Sequence, residues 1–195
     1  MNDINDNSTY SPRGGMILIS SPLLEDPNFK RSVILLLDKG TKGDFIGLIL
    51  NRRLDITLNE ICEMPGEANE ANVFNGGPVD LQRMFWLHTY GDRLEGSHEV
   101  MPGLFVGGDY NNIIRAYQQG KHINDNIRFY IGYSGWSADQ LENEIRHGAW
   151  AVLPAVLDPE TLIRTEGDEM WHTLVKRLGP DYRHWLMIPS DPNMN

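Results

Sequence analysis

Ser134 stands in the run Gly132-Tyr133-Ser134-Gly135-Trp136, followed at once by Ser137 and Gln140 in an S-x-x-Q pattern. A serine between glycines, where a strand gives way to a helix, is the setting that exposes a nucleophile in G-x-S-x-G hydrolases. Here the second glycine comes one residue early and Trp136 fills its place, although that place needs a small residue so that strand and helix can approach. A turn whose serine hydroxyl bonds backbone is therefore the favoured reading, and no catalytic residue is assigned. The six histidines, His88, His98, His122, His147, His172 and His184, show neither H-x-x-x-H nor H-E-x-x-H spacing, so no metal ligand is assigned. Cys62 is the only cysteine, which excludes an internal disulfide and a four-cysteine zinc site. Glu60 and Glu63 beside it oppose a thiolate, so it reads as a buried or half-buried apolar thiol.

Two glycine loops could offer backbone N–H groups to an anion: Gly76-Gly77-Pro78 and Gly107-Gly108-Asp109. Neither matches a P-loop or a dinucleotide fingerprint, and Asp109 would itself occupy the helix start, so no cofactor is expected. The residues best placed to share a binding surface are Asn51 and Arg52 at one strand end and Tyr133 and Trp136 at another. Gly76, Gly77, Pro78, Ser134, Gln140 and Glu142 complete the candidate set for a ligand or partner. The competing reading has Asn51 bonding loop backbone, Arg52 paired with Glu142 or Glu144, and Trp136 packed in the core. A second functional class, a hydrolase-like enzyme, would draw on Arg52, Ser134 and Glu142 as its polar cluster.

The elements that must position these groups follow from periodicity and caps. Short apolar runs at 16–20, 33–37, 45–50, 73–74, 84–88, 98–100, 104–106, 129–133 and 149–153 read as strands, the second of them buried on both faces. Gly132 and Gly135 are expected to make the tight turn after the strand at 129–133. Ser137 then caps a helix with Ala138, Leu141 and Ile145 on its apolar stripe. Thr57 with Glu60 forms a second capping box, and Asp109, Asp158 before Pro159, and Asp168 are read as further N-caps. Gly120 and Pro65-Gly66 are expected helix stops. Strands bunch in the middle with helices between them irregularly, which predicts an α+β fold with a mostly antiparallel sheet. One domain over residues 14–180 is expected, with a flexible tail at 1–13 and a loose one at 181–195.

The chain carries 27 acidic and 17 basic side chains, a formal charge of -10. That balance opposes the phosphate contacts of nucleic-acid binding and attraction to anionic membranes. Neither a signal-peptide core nor the roughly 18 apolar residues of a membrane span is present, so a cytoplasmic protein is expected.

Several phrases occurring in order carry a family resemblance: Gly15-Met16-Ile17-Leu18-Ile19-Ser20, Asp26-Pro27-Asn28-Phe29 with Arg31-Ser32-Val33, Gly47-Leu48-Ile49-Leu50-Asn51-Arg52, Gly76-Gly77-Pro78-Val79, and Gly132 to Trp136 with Gln140-Leu141-Glu142 and Glu144. Together they resemble the AlgH/YqgE family of bacterial proteins over about residues 14–179. The resemblance implies a sheet curled into a pseudo-barrel, no established enzymatic activity, and an association of some members with transcriptional control. Arg53 stands where the family usually has a proline after Asn-Arg. The functional expectation is a non-catalytic module that binds another protein or a small ligand.

Overall fold

A computed structural model describes residues 11–39, 43–63, 70–119, 124–153 and 157–190. Ten strands and four α-helices follow in the order β1 (Ile17–Ser20), β2 (Val33–Lys39), β3 (Phe45–Ile49), β4 (Arg53–Thr57), β5 (Asn72–Asn75), β6 (Val79–His88), β7 (Ser97–Met101), β8 (Leu104–Gly107), α1 (Tyr110–Gln118), β9 (Ile127–Trp136), α2 (Ala138–Arg146), β10 (Trp150–Leu153), α3 (Pro159–Arg164) and α4 (Gly167–Leu178). The main sheet runs β10-β1-β2-β3-β9-β6-β8-β7, with β5 added on β9 and β4 on β5. Among the described residues every pairing is antiparallel except β5 with β9. The sheet curls until Val100 and Met101 of β7 share a buried cluster with Ile17 and Ile19 of β1. The expected α+β class and the curled, mostly antiparallel sheet are what the chain forms.

Strands β1, β2, β3 and β10 are covered on both faces. On one face Ile17, Ile19, Leu35, Leu48 and Ala151 pack with Trp171, Leu174 and Val175 of α4. On the other, Leu18, Ile34, Phe45, Ile49 and Val152 meet Leu141 and Ile145 of α2. Alternation along each strand divides its apolar residues between these layers, so both helices are needed to keep the strands dry.

Strand β9 is the hub, and it corrects the expected turn. It continues unbroken through Gly132 and Gly135 to Trp136. Residues Phe129–Ile131 pair with β5, Ser134–Trp136 pair with β3, and β6 runs along the other edge. Gly132 lies where β5 hands over to β3, with φ +68. There Ile49 N donates to Gly76 O (3.0 Å) and Gly76 N to Ile131 O (2.8 Å). An added Cβ at Gly76 would overlap the Gly132 carbonyl oxygen, and one at Gly77 would overlap the Tyr133–Ser134 peptide. The glycines therefore allow three strands to meet backbone to backbone.

The capping signals are mostly realised. Ser137 accepts from Gln140 N, Asp109 from Asn111 N and Asp158 from Thr161 N, with Pro159 opening α3. Thr57 N donates to the Glu60 carboxylate at 2.9 Å, and a single 3-10 turn, Leu58–Glu60, follows. Asp168 does not cap α4: the helix begins one residue before it, at Gly167, with Glu166 as N-cap. The expected loose tail from Asp181 is also corrected. Residues Pro180–Met187 form a 3-10 helix, and Trp185 is buried with its ring stacked 6.5 Å from that of Trp171. Burying a large indole offsets the ordering of a short segment that local propensity leaves unstructured. The stops expected at Pro65-Gly66 and Gly120, most of the 1–13 tail and the last five residues lie outside the described residues.

Candidate binding cleft

Asn51 follows the end of β3 and is 6% exposed, and its amide joins three elements. Its Oδ1 accepts from Val33 N (2.9 Å) at the start of β2, while its Nδ2 donates to Arg31 O (2.9 Å) and to Gly167 O (3.0 Å) at the start of α4. Gly167 N returns a bond to Asn51 O. Asparagine is suited to this place because one amide both accepts and donates.

Arg52, the next residue, turns toward solvent over a cleft of ≈ 550 Å³ between the segment before β2, the β3–β4 connection and the first turn of α4. Lys30, Arg53, Gly167 and Asp168 share the lining. The Arg52 Nη2 donates to Lys30 O at 2.7 Å. Partial burial lowers its pKa, with the fields of Asp168 and Asp26 opposing that shift. Arg31 forms a rigid floor: it has φ +50, lies 4.8 Å over the Trp171 ring, donates to Ile188 O and meets His172 Nε2 at 3.2 Å. The His172 Nδ1 lies 2.8 Å from Asp168 O, so that nitrogen carries the proton and Nε2 accepts from Arg31. Arg53 forms an exposed 3.5 Å pair with Glu166. It occupies the first position of β4 and adds a cation to the cleft wall.

The remaining candidate residues separate into other places. Gly76 and Gly77 form the three-strand junction, with Pro78 exposed just beyond it. Ser134 is fully buried there and its hydroxyl donates to Gly76 O at 3.2 Å. Tyr133 is half-buried, edge-on to Phe85. Trp136 is in the core, donating Nε1 to Glu144 Oε2 at 2.9 Å, and Gln140 donates to the other oxygen of Glu144 at 2.8 Å. Glu142 is exposed on α2. The cleft thus brings together Asn51 and Arg52 from the candidate set but neither Tyr133, Ser134, Trp136 nor Glu142. Arg52 bonds the Lys30 carbonyl rather than Glu142 or Glu144. Among the described residues no three His, Cys, Asp or Glu side chains converge on a metal-sized site.

Sequence reasoning missed Lys30, Gly167 and Asp168 as cleft residues. Their only local signal was that Asn51 needs backbone partners, which did not say whose. It also overlooked Arg128, whose buried guanidinium donates to Leu50 O and Thr165 O at 3.0 Å each and covers the Phe74 ring at 4.1 Å. That side chain ties the end of α3 to the sheet beside a second, smaller cleft of ≈ 280 Å³.

These features define a single curled-sheet α+β protein with a basic cleft at the β3–β4 connection. The chain belongs to the AlgH-like family (DUF179), whose profile matches residues 17–183. A UPF0301 protein of Parabacteroides distasonis is 35% identical over 185 residues, covering 94% of this chain and 92% of that one. One from Chlorobaculum tepidum is 37% identical over 181 residues, covering 93% and 95%. The solution structure of the AlgH protein from Pseudomonas aeruginosa superimposes with TM-score 0.68 at 25% identity, covering 97% of each chain. A Corynebacterium diphtheriae protein has the same fold at TM-score 0.69 and 21% identity, covering 90% of this chain and 92% of its own. No described helix is long and apolar enough to cross a membrane.

Proposed function

We propose that this protein is a non-catalytic cytoplasmic binding module that engages another protein or a small ligand through the Arg52 cleft. The observation that carries this reading is Arg52 itself: a partly desolvated guanidinium fixed by one bond to Lys30 O, above a floor held by Asn51 and Arg31. Rigid backing of a half-buried arginine is what a recognition residue needs, because little entropy is then lost on binding. The transcriptional association implied by the family resemblance would, on this reading, run through the bound partner. The acidic balance of the chain opposes direct contact with DNA.

The test is affinity capture of the tagged chain from its own host at native abundance, beside a folded Arg52→Ala variant. A partner retained by the wild type and lost by the variant supports the reading, whereas capture that ignores Arg52 overturns it. A hydrolase reading is disfavoured by the burial of Ser134 and by the bond from its hydroxyl to Gly76 O. A serine-directed fluorophosphonate probe is expected to leave the folded protein unlabelled, and labelling at Ser134 would reinstate the enzyme.

A further inference from the structure

The cleft is lined by four cations, of which two are committed. Arg31 is spent on Trp171, Ile188 O and His172, and Arg53 is paired with Glu166. Lys30 and Arg52 form no ion pair within 4.0 Å among the described residues. Asp168 and Asp26 act on Arg52 only from farther away. Arg52 has given up part of its hydration for a single hydrogen bond, and its fork still offers parallel N–H donors.

We propose that the cleft takes a single carboxylate, received by the fork of Arg52 with Lys30 as the second contact. This inference rests on the binding reading above and specifies its ligand. Three observations select the class. A planar two-oxygen anion matches a guanidinium fork in geometry. Asp168 in the wall and Asp26 nearby penalise a second negative charge, which separates a carboxylate from a phosphate dianion. The chain's formal charge of -10 penalises a polyanion. A carboxylate reaches such a cleft either on an acidic side chain of a partner polypeptide or as a small free acid.

The full chain, labelled with nitrogen-15, is titrated at constant ionic strength with N-acetyl-aspartate amide, N-acetyl-asparagine amide and inorganic phosphate. The Arg52 Nε–H and Gly167 N–H resonances report occupancy. The aspartate probe is expected to give saturable shifts. Its affinity should fall about tenfold in Arg52→Gln and severalfold in the exposed-site variant Lys30→Gln, and the asparagine probe should give no saturation. Equal response to the asparagine probe, tighter binding of phosphate, or an affinity unchanged in both variants would overturn the carboxylate assignment. Thermal melts of both variants establish that they are folded, and Lys30→Gln keeps the test decisive if Arg52→Gln is not. A capped pentapeptide with one central aspartate distinguishes the sources: binding tighter than the capped residue indicates a polypeptide, and equal binding a free acid. Loss of partner capture in Arg52→Ala, without any carboxylate binding, would leave the binding module standing and remove only its ligand class.

Discussion

Glu144 holds two buried indoles at once. Its Oε2 accepts from Trp136 Nε1 at 2.9 Å and from Trp150 Nε1 at 2.7 Å, while Phe29 packs against both rings. Removing the carboxylate strands two donors in a dry environment, at about 1–3 kcal/mol each. Glu144→Ala should therefore lower the unfolding free energy by on the order of 2–4 kcal/mol in urea titration. Glu144→Gln should cost much less, since one amide oxygen can serve both indoles. Equal losses for the two variants would show that the bonds matter little. His88 has a tautomer fixed by its partners. Its Nδ1 accepts from Tyr90 N (3.2 Å), so Nε2 carries the proton and faces Gly107 O and Ser97 Oγ, each at 3.0 Å. Burial lowers its pKa from the ordinary 6.5, partly opposed by the bond to Gly107. Below that pH the unfolded chain takes up a proton that the folded ring resists, so stability falls as pH drops through about 6.5 and levels off once the folded ring protonates. Chemical denaturation between pH 7.5 and about 5 should show this decline in the wild type and a flatter profile in His88→Gln.

Strand β9 and the 3-10 helix after α4 are the elements whose behaviour is least local. At Gly132 a side chain would meet both the αL penalty of about 1–2 kcal/mol and the Gly77 carbonyl oxygen. At Gly148, also with positive φ (75), there is nothing within 4 Å of the added atom. Gly132→Ala should consequently destabilise the fold well beyond Gly148→Ala in thermal melts. Similar shifts for the pair would mean that the three-strand junction relaxes freely. Trp185 tests the other element. Its burial beside Trp171 and Tyr182 predicts a loss of about 3–5 kcal/mol for Trp185→Ala. A negligible loss would return Pro180–Met187 to the status of a tail.

Across the whole molecule, charge and shape act in opposite senses. The chain is strongly acidic, yet four basic side chains line one cleft. The overall field disfavours a polyanion, while the cleft offers a short-range site for a single negative group. Random-sequence duplex DNA should accordingly show no gel-shift retention at physiological salt. Retention abolished by Arg52→Ala would overturn the assignment of this cleft to a carboxylate. The curled sheet also explains why the cleft has a fixed floor: α4, β2 and the end of β3 are fastened at one point by the Asn51 amide. Asn51→Ala should therefore loosen the cleft and lower stability together, whereas Arg52→Ala should alter binding with little change in stability.

What could be read from the chain before folding was whatever closes within a few residues. Ser137 with Gln140, Asp109 with Asn111 and Asp158 with Thr161 are such closures, because a cap and its amide are neighbours in any helix start. Short apolar runs likewise marked nine of the strands and the α+β class, since they record which segments must be dry, whereas β4, Arg53–Thr57, carries no such run and was not expected. Gly132 misled for the same reason. A glycine after a strand commonly means a turn, and only the approach of Gly77 from 55 positions away, which nothing in the neighbourhood of Gly132 reports, makes it a strand junction. Trp185 looked like part of a tail until α4 placed Trp171 beneath it. The cleft was legible only as Asn51 and Arg52. Lys30 and Gly167 arrive from 22 positions before Arg52 and 116 after Asn51, brought there by the sheet. Local rules carry capping and burial pattern. Which distant backbones come into contact is decided by packing the whole core, and the candidate site is made of those contacts.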